Sequence, residues 1–123
     1  MAPYLLAHNF SANRPDENWA GDITYLRTTQ GWLYPAVVLD LYTRKIIGWS
    51  TSTRINARLP CAALKAALAR RGEPRGVIMH TDRGSVYCSL DHRNLICRYG
   101  LVASMSGRAT AMTMRWWRAF YIA

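Results

Sequence analysis

Two carboxylates in this sequence have surroundings that are typical of metal-dependent chemistry. Asp22 lies inside an apolar segment with strand character, where an ionised side chain is costly unless a partner offsets its charge. Asp82 lies at the end of a short apolar strand that begins at Gly76. If these two strands are parallel neighbours, the two acids converge at one edge of a sheet, where carboxylate oxygens suit Mg²⁺. A pair of such ions can activate water and stabilise a leaving oxygen in phosphodiester chemistry.

The same two acids also admit a purely structural interpretation, which the residue types alone leave open. In that interpretation Asp22 caps a turn, and Asp82 pairs with Arg83 or caps a loop. Neither role would involve a metal ion.

A second group of residues contains metal-binding types, but its spacing argues against a metal site. His80, Cys88, His92 and Cys97 lie near one another in the sequence, yet their gaps match no standard zinc pattern. Ordinary packing is therefore favoured. The three cysteines, which include Cys61, contain no C-x-x-C pair and fit reduced thiols.

Seven elements are predicted between residues 17 and 106, and they must position the two acids. Residues 1–16 are expected to form an irregular N-terminal arm. The second predicted strand is apolar on both faces in its middle, which indicates a central position, and Pro35 should lie near its start or at a bulge. Pro60 should fall in the first turn of the first helix. The predicted elements are strands at 19–27, 32–41 and 45–50, a helix at 56–71, a strand at 76–82, a helix at 90–99 and a strand at 101–104.

The order β-β-β-α-β-α-β predicts an antiparallel meander followed by crossover helices that lead into parallel strands. It describes an α/β fold with a mixed sheet and helices on its faces. This is the layout of the ribonuclease H-like fold, expected here to be incomplete at the C-terminus. The order suggests a fold class and by itself carries no function.

Several sequence blocks resemble, in order and spacing, the integrase-like catalytic core of bacterial insertion-sequence transposases. The resemblance runs from about residue 10 to residue 106, and several blocks in register are far more specific than one motif. The blocks are Trp19-Ala20-Gly21-Asp22-Ile23-Thr24-Tyr25, Gly31-Trp32-Leu33-Tyr34, Val38-Leu39-Asp40-Leu41-Tyr42-Thr43-Arg44, His80-Thr81-Asp82-Arg83-Gly84-Ser85, Tyr87-Cys88-Ser89 and Ser104-Met105-Ser106.

This resemblance implies an Asp, Asp, Glu triad that binds two divalent ions, Mg²⁺ or Mn²⁺, nicks DNA and transfers the cut strand. Asp22 and Asp82 match the first two acids by position, so they are the candidate catalytic and metal-binding residues. Asp40 lies in a matching block but at no triad position. A role in a turn or in pairing with Arg44 is expected for it.

The third acid is absent where the family pattern requires it. In the family, a segment of the form D-N-A-x-x-E-S-F follows the S-M-S block and begins the helix that carries the Glu. Here no Asp or Glu occurs after Asp91. The third metal ligand is therefore expected to be missing.

Another reading frame contains the missing segment. Met and Trp have one codon each, ATG and TGG, which determines part of the underlying DNA. Codons that start on the third base of the preceding codon read GAC, for Asp, across Met112 and Thr113. They read GTG, for Val, across Trp116 and Trp117.

Permitted codons elsewhere in this frame complete the family segment as Gly-Asp-Cys-Tyr-Asp-Asn-Ala-Met-Val-Glu-Ser-Phe. Its Glu spans Trp117 and Arg118. We therefore expect a shift of frame near Gly107 or Arg108. Residues 107–123 would then be an out-of-frame tail, and residues 17–106 a partial integrase-like core.

The charge of the chain favours a polyanion partner. Sixteen basic residues face seven acidic ones, a formal net charge of +9, and residues 1–107 alone carry +6. The simplest partner is DNA, although an Arg-rich genome would also produce such a composition. No apolar run is long enough to span a bilayer, and the N-terminus has no basic flank before its short apolar run. A cytoplasmic location without membrane association is expected.

Three functional hypotheses follow. The first is a transposase core for metal-dependent DNA cleavage and strand transfer that is catalytically defective because its third acid is missing. The second is a non-catalytic, basic nucleic-acid-binding fragment that interferes with a full-length transposase by mixed assembly, or that self-associates. The third is an active nuclease that recruits another carboxylate, such as Asp91.

Overall fold

The computed structural model describes residues 12–82 and 84–106. The expected tail at 107–123 and most of the expected arm at 1–16 lie outside these residues. The described part has the predicted mixed α/β architecture, and its elements are β1 (Asn18–Ile23), β2 (Leu26–Thr28), β3 (Gly31–Asp40), β4 (Lys45–Ser52), α1 (Arg58–Arg71), β5 (Ile78–Asp82), α2 (Leu90–Arg98) and β6 (Val102–Ser106).

One mixed sheet contains all the strands of the described part. Strand β3 pairs antiparallel with β1 and with β4, and short β2 pairs with the first residues of β3. Strand β5 is parallel to both β1 and β6. The predicted meander and the predicted parallel additions are both confirmed.

The first predicted strand, at 19–27, is wrong in one respect, because the structure divides it into β1 and β2. The break lies opposite Pro35 of β3. The backbone N–H of Thr24 donates to the carbonyl of Pro35 at 3.0 Å, but proline has no N–H to return the bond. The pairing of β1 with β3 therefore stops at Ile23.

Pro35 itself does not lie where the sequence predicted. It is the fifth residue of β3, and the irregularity in the pairing of β3 with β4 falls between Val38 and Leu39. The nitrogen of Pro35 faces Thr24, on the side where the pairing with β1 stops. The pairing of β3 with β4 on the other side therefore continues through Pro35.

Strand β3 is buried from Pro35 to Asp40, as its apolar middle predicted. Alternate residues of the sheet enter two clusters. The larger lies under the helices and includes Trp19, Val38 and Leu64, while the smaller lies on the opposite face. The smaller cluster contains Ala20, Val37, Leu39 and Leu41, with Ala12 packed against it.

Helix α1 begins two residues later than predicted and ends as predicted. The side chain of Asn56 accepts from the N–H of Arg58 at 3.1 Å, and Pro60 lies in the first turn. Gly72 ends the helix at φ 75°, a left-handed conformation that glycine adopts without strain. None of the helices in the described residues is long and apolar enough to cross a membrane.

Candidate active site

The pairing of β1 with β5 brings the two predicted acids to the same end of neighbouring parallel strands. Ala20 lies opposite His80 in the register. Two residues further along each strand, Asp22 and Asp82 are level and project from the same face, because strand side chains alternate. The expected parallel arrangement is therefore present, and each carboxylate lies within the electrostatic reach of the other.

Asp22 is a buried acid with an incompletely satisfied carboxylate. Its side chain is 4% exposed. One oxygen, Oδ1, accepts from the backbone N–H of Ile23 at 2.9 Å. The other, Oδ2, is buried without a hydrogen-bond partner. Burial, reinforced by the charge of Asp82 and opposed by the Ile23 hydrogen bond, raises the pKa of Asp22 to about 7.

Asp82 ends β5 and is held by the loop that follows it. Its Oδ1 accepts from the backbone N–H of Gly84 at 2.7 Å. A side chain at position 84 would place a Cβ 2.8 Å from the same oxygen, so only glycine permits this approach without rearrangement. The hydrogen bond orients the half-buried Asp82 carboxylate at the sheet edge.

Tyr87 is a third polar group at this edge, and sequence reasoning assigned it no role. Its ring is 3% exposed and meets the ring of His92 edge to face, with centroids 5.2 Å apart. Its hydroxyl lies 3.5 Å from where a Cβ on Gly21 would stand. Burial, and then the charges of Asp22 and Asp82, raise the pKa of Tyr87 well above its ordinary value. The only sequence signal was its position in a block that follows Asp82 closely.

The rejected zinc cluster is not assembled in the structure. Buried His80 contacts Asn18, with Nε2 2.9 Å from Oδ1, and buried His92 packs on Tyr87. Among residues 12–82 and 84–106, no group of three or more His, Cys, Asp or Glu side chains could hold a metal ion. Cys61, Cys88 and Cys97, all within the described residues, form no disulfide, which agrees with the predicted reduced thiols.

Asp40 lies at the opposite end of the sheet and has a structural role. Its side chain accepts from the N–H of Tyr42 at 2.8 Å, which confirms the predicted turn. Its Oδ2 forms an ion pair with Arg71 Nη1 at 2.6 Å. Arg71 also pairs with Asp16 at 2.7 Å, and the indole of Trp19 donates to Asp16. The ion pair between Arg71 and Asp40 connects the end of α1 to β3 of the sheet.

Asp91, the alternative third acid, faces α1 instead of the acid pair. It lines a groove between the two helices and raises the pKa of the Cys61 thiol, although burial raises that pKa more. Any family Glu would fall after Ser106, outside the described residues.

The fold and the acid pair together define a class of protein. A mixed sheet with helices on one face, and acids level on its first strand and on a parallel neighbour, is an integrase-type α/β core with the ribonuclease H-like fold. Solved catalytic cores share the fold. The core of HTLV-2 integrase in complex with magnesium has a TM-score of 0.70 and 19% identity, over 85% of this chain and 66% of that chain.

Sequence comparison assigns the family. The model of the integrase core domain matches residues 12–120, and the chain belongs to this family. The transposase InsF of insertion sequence IS3A from Escherichia coli K12 is 56% identical over 104 residues, 85% of this chain and 36% of InsF. A 31 kDa protein of insertion element IS600 from Shigella sonnei is 41% identical over 106 residues, 86% of this chain and 39% of that protein. The chain thus spans a little over a third of the length of these curated relatives.

Proposed function

We propose that this chain is a transposase catalytic core for metal-dependent cleavage and transfer of DNA strands, in which Asp22 and Asp82 are the first two metal-binding acids. The observation that carries the proposal is the buried Oδ2 of Asp22, which has no hydrogen-bond partner and is level with a second carboxylate. Burying such an atom is costly unless a cation or a proton satisfies it. A divalent ion would do so.

The donor set fits a hard cation. Asp22 and Asp82 supply carboxylate oxygens, which Mg²⁺ and Mn²⁺ prefer. When bound, the metal would activate water and stabilise the charge that develops on the phosphate. The protein's own contribution is to hold Asp82 through Gly84 and to keep Asp22 in a buried, desolvated position.

We further propose that catalysis is defective because the third acid is lost. Residues 17–106 would form the partial core, and residues 107–123 the out-of-frame tail. The family match extends to residue 120 and so includes most of this tail. The nucleotide sequence through codons 100–123 therefore decides between a shifted frame and an unshifted, divergent one.

The charges at a two-metal site explain why the loss of one carboxylate would impair catalysis. Two divalent ions held about 4 Å apart repel each other, and the surrounding carboxylates must offset that repulsion. Asp22 and Asp82 could hold one ion loosely, but the second would lack the ligand that the missing Glu supplies.

The test is nicking of a supercoiled plasmid with Mg²⁺ or Mn²⁺. This chain should show no activity or a trace, and a version with the frame restored after Gly107 should be active. Asp22→Ala in the restored version is the matched control and should abolish the activity. Equal nicking by both chains, abolished in each by Asp22→Ala, would mean that another residue replaces the third acid.

A second candidate function is DNA binding without catalysis, favoured by the net charge of +9. In this role the chain would occupy DNA or assemble with a full-length transposase and lower its activity. Co-expression of this chain with such a transposase should then reduce transposition, and Asp22→Ala in this chain should leave the reduction unchanged. If Asp22→Ala removes the reduction, the effect depends on the acid site.

A further inference from the structure

The sheet face opposite the helices carries the two acids, and we call it the acid face. Side chains alternate along a strand, so Asp22 shares this face with Ala20 of β1. In the pairing of β1 with β3, Ala20 lies opposite Leu39 and Asp22 lies opposite Val37. The smaller apolar cluster, which contains Ala20, Val37 and Leu39, therefore lies beside the acid pair on the same face.

The apolar cluster of the acid face is covered, although α1 and α2 pack on the other side of the sheet. Leu39 is 0% exposed, Ala20 is 1% exposed and Val37 is 4% exposed. Side chains on an uncovered sheet face would be in contact with water. These exposed fractions hold for a single chain, so the cover comes from this chain and not from a second copy.

Ala12 identifies the direction from which the cover comes. Among residues 12–82 and 84–106, it is the one partly buried hydrophobic residue that packs against this cluster. Its side chain is a single methyl group, which is too small to cover three strand residues by itself. The chain continues from Ala12 into residues 1–11, so these residues begin on the acid face.

Contacts at the end of the sheet fix the path of the chain between Ala12 and β1. Asp16 has a positive φ of 62°, which turns the backbone. Its N–H donates to Oδ2 of Asp40 at 3.1 Å, and its carboxylate forms an ion pair with Arg71 at 2.7 Å. The chain is therefore held at the end of β3, from which Ala12 reaches the acid face.

We propose that residues 1–11 lie across the acid face and bury the apolar cluster that contains Val37 and Leu39. Their composition suits this role, because they include no Asp, Glu, Lys or Arg. Burial of apolar side chains against an apolar surface stabilises the folded chain. The large apolar side chains available for this contact are those of Tyr4, Leu5, Leu6 and Phe10.

Residues 107–123 fit the same surface less well, for two reasons. They follow β6, which β5 and β1 separate from β3, a distance of about 14 Å at about 4.8 Å for each strand spacing. They also carry Arg108, Arg115 and Arg118. Burial of a guanidinium against an apolar cluster is costly unless an acid pairs with it.

The docked segment would also form a wall beside the acid pair. Val37 lies opposite Asp22 in the register, so a segment that covers Val37 closes the β3 side of Asp22. The cover does not extend over β4, because Trp49, which lies opposite Val37 on that strand, is 64% exposed. The wall therefore lies over β3 and β1.

Photochemical crosslinking in the full chain tests the position of the segment. With p-benzoyl-phenylalanine in place of Leu6, light should attach the probe to β3, or to β1 or β4 beside it, within the same chain. Peptide mass spectrometry identifies the attached residues. The same probe in place of Arg70, an exposed residue of α1, is the control and should not reach β3. Attachment confined to α1, α2 or residues 107–123, attachment to a second chain, or no attachment would overturn the inference.

Thermal unfolding tests the contribution of the segment to stability. Leu5→Ser/Leu6→Ser/Phe10→Ser should lower the melting temperature by about 5 °C or more, because the cluster loses its apolar cover. The matched control Tyr25→Ser/Ile55→Ser/Leu90→Ser removes three apolar side chains that are more than half exposed, and it should lower the melting temperature much less. Equal shifts in the two variants, or no shift in the first, would contradict the inference. Neither experiment depends on metal binding by Asp22 and Asp82, so the inference can fail while the proposed function stands.

Discussion

Asp22→Asn should make the protein's stability less sensitive to pH and should stabilise it above neutrality. In the folded chain Asp22 is buried, and its Oδ2 has no hydrogen-bond partner. Burial is the main reason that its pKa rises from 3.8 to about 7. Asparagine keeps an acceptor for the N–H of Ile23 and carries no charge at any pH.

The magnitude follows from the two pKa values. Between pH 3.8 and about 7 the folded protein retains a proton that the unfolded chain releases, so the free energy of unfolding decreases as pH rises through this range. The total decrease in the free energy of unfolding is about 4 kcal/mol, at about 1.4 kcal/mol for each pH unit between the two pKa values. The buried amide that the substitution introduces would lower the variant's free energy of unfolding by about 1–3 kcal/mol at every pH, because its N–H₂ lacks an acceptor. The variant should therefore be the less stable chain near pH 4 and the more stable one near pH 8.

Urea unfolding of both chains across this pH range measures the difference directly. Burial lowers the pKa of His80 and of His92 to about 4, so both chains lose stability as pH falls below about 6.5. Because both chains share this loss, it disappears when the free energy of unfolding of one chain is subtracted from that of the other. Glu73→Gln, which removes an exposed carboxylate, is the control for charge alone. A difference in the free energy of unfolding that is constant from pH 4 to pH 8 would refute the raised pKa of buried Asp22.

Two further substitutions test the packing that positions the site. Arg71→Ala should destabilise the fold by about 3–5 kcal/mol in chemical unfolding, because it leaves the fully buried carboxylate of Asp40 without its cation. The control Arg70→Ala removes an exposed cation and should destabilise the fold far less. Equal destabilisation by the two substitutions would argue against the ion pair. Gly48→Ala should destabilise it by about 3 kcal/mol or more, because the new Cβ would stand 2.5 Å from the backbone nitrogen of Ala67 in α1. A near-normal melting temperature for this variant would show that β4 and α1 can separate at little cost.

The order of the elements could be predicted from the sequence because it depends on local pattern, and that order also predicted that Asp22 and Asp82 meet at one edge of the sheet. Alternation and helical spacing are properties of neighbouring residues, and they placed α1 and β5 within two residues of their observed bounds. The resemblance to transposase cores then selected Asp22 and Asp82 among the seven acidic residues. The absence of any Asp or Glu after Asp91 is likewise read from the sequence alone.

Tertiary structure decided what depends on residues that are distant in sequence. The break between β1 and β2 arises from Pro35 on a neighbouring strand, and the partner of Asp40 is Arg71, 31 residues away. The hydroxyl of Tyr87 lies near Gly21 of β1, which is far from it in the sequence. No local pattern encodes these contacts, because each is created only when the sheet and helices pack together.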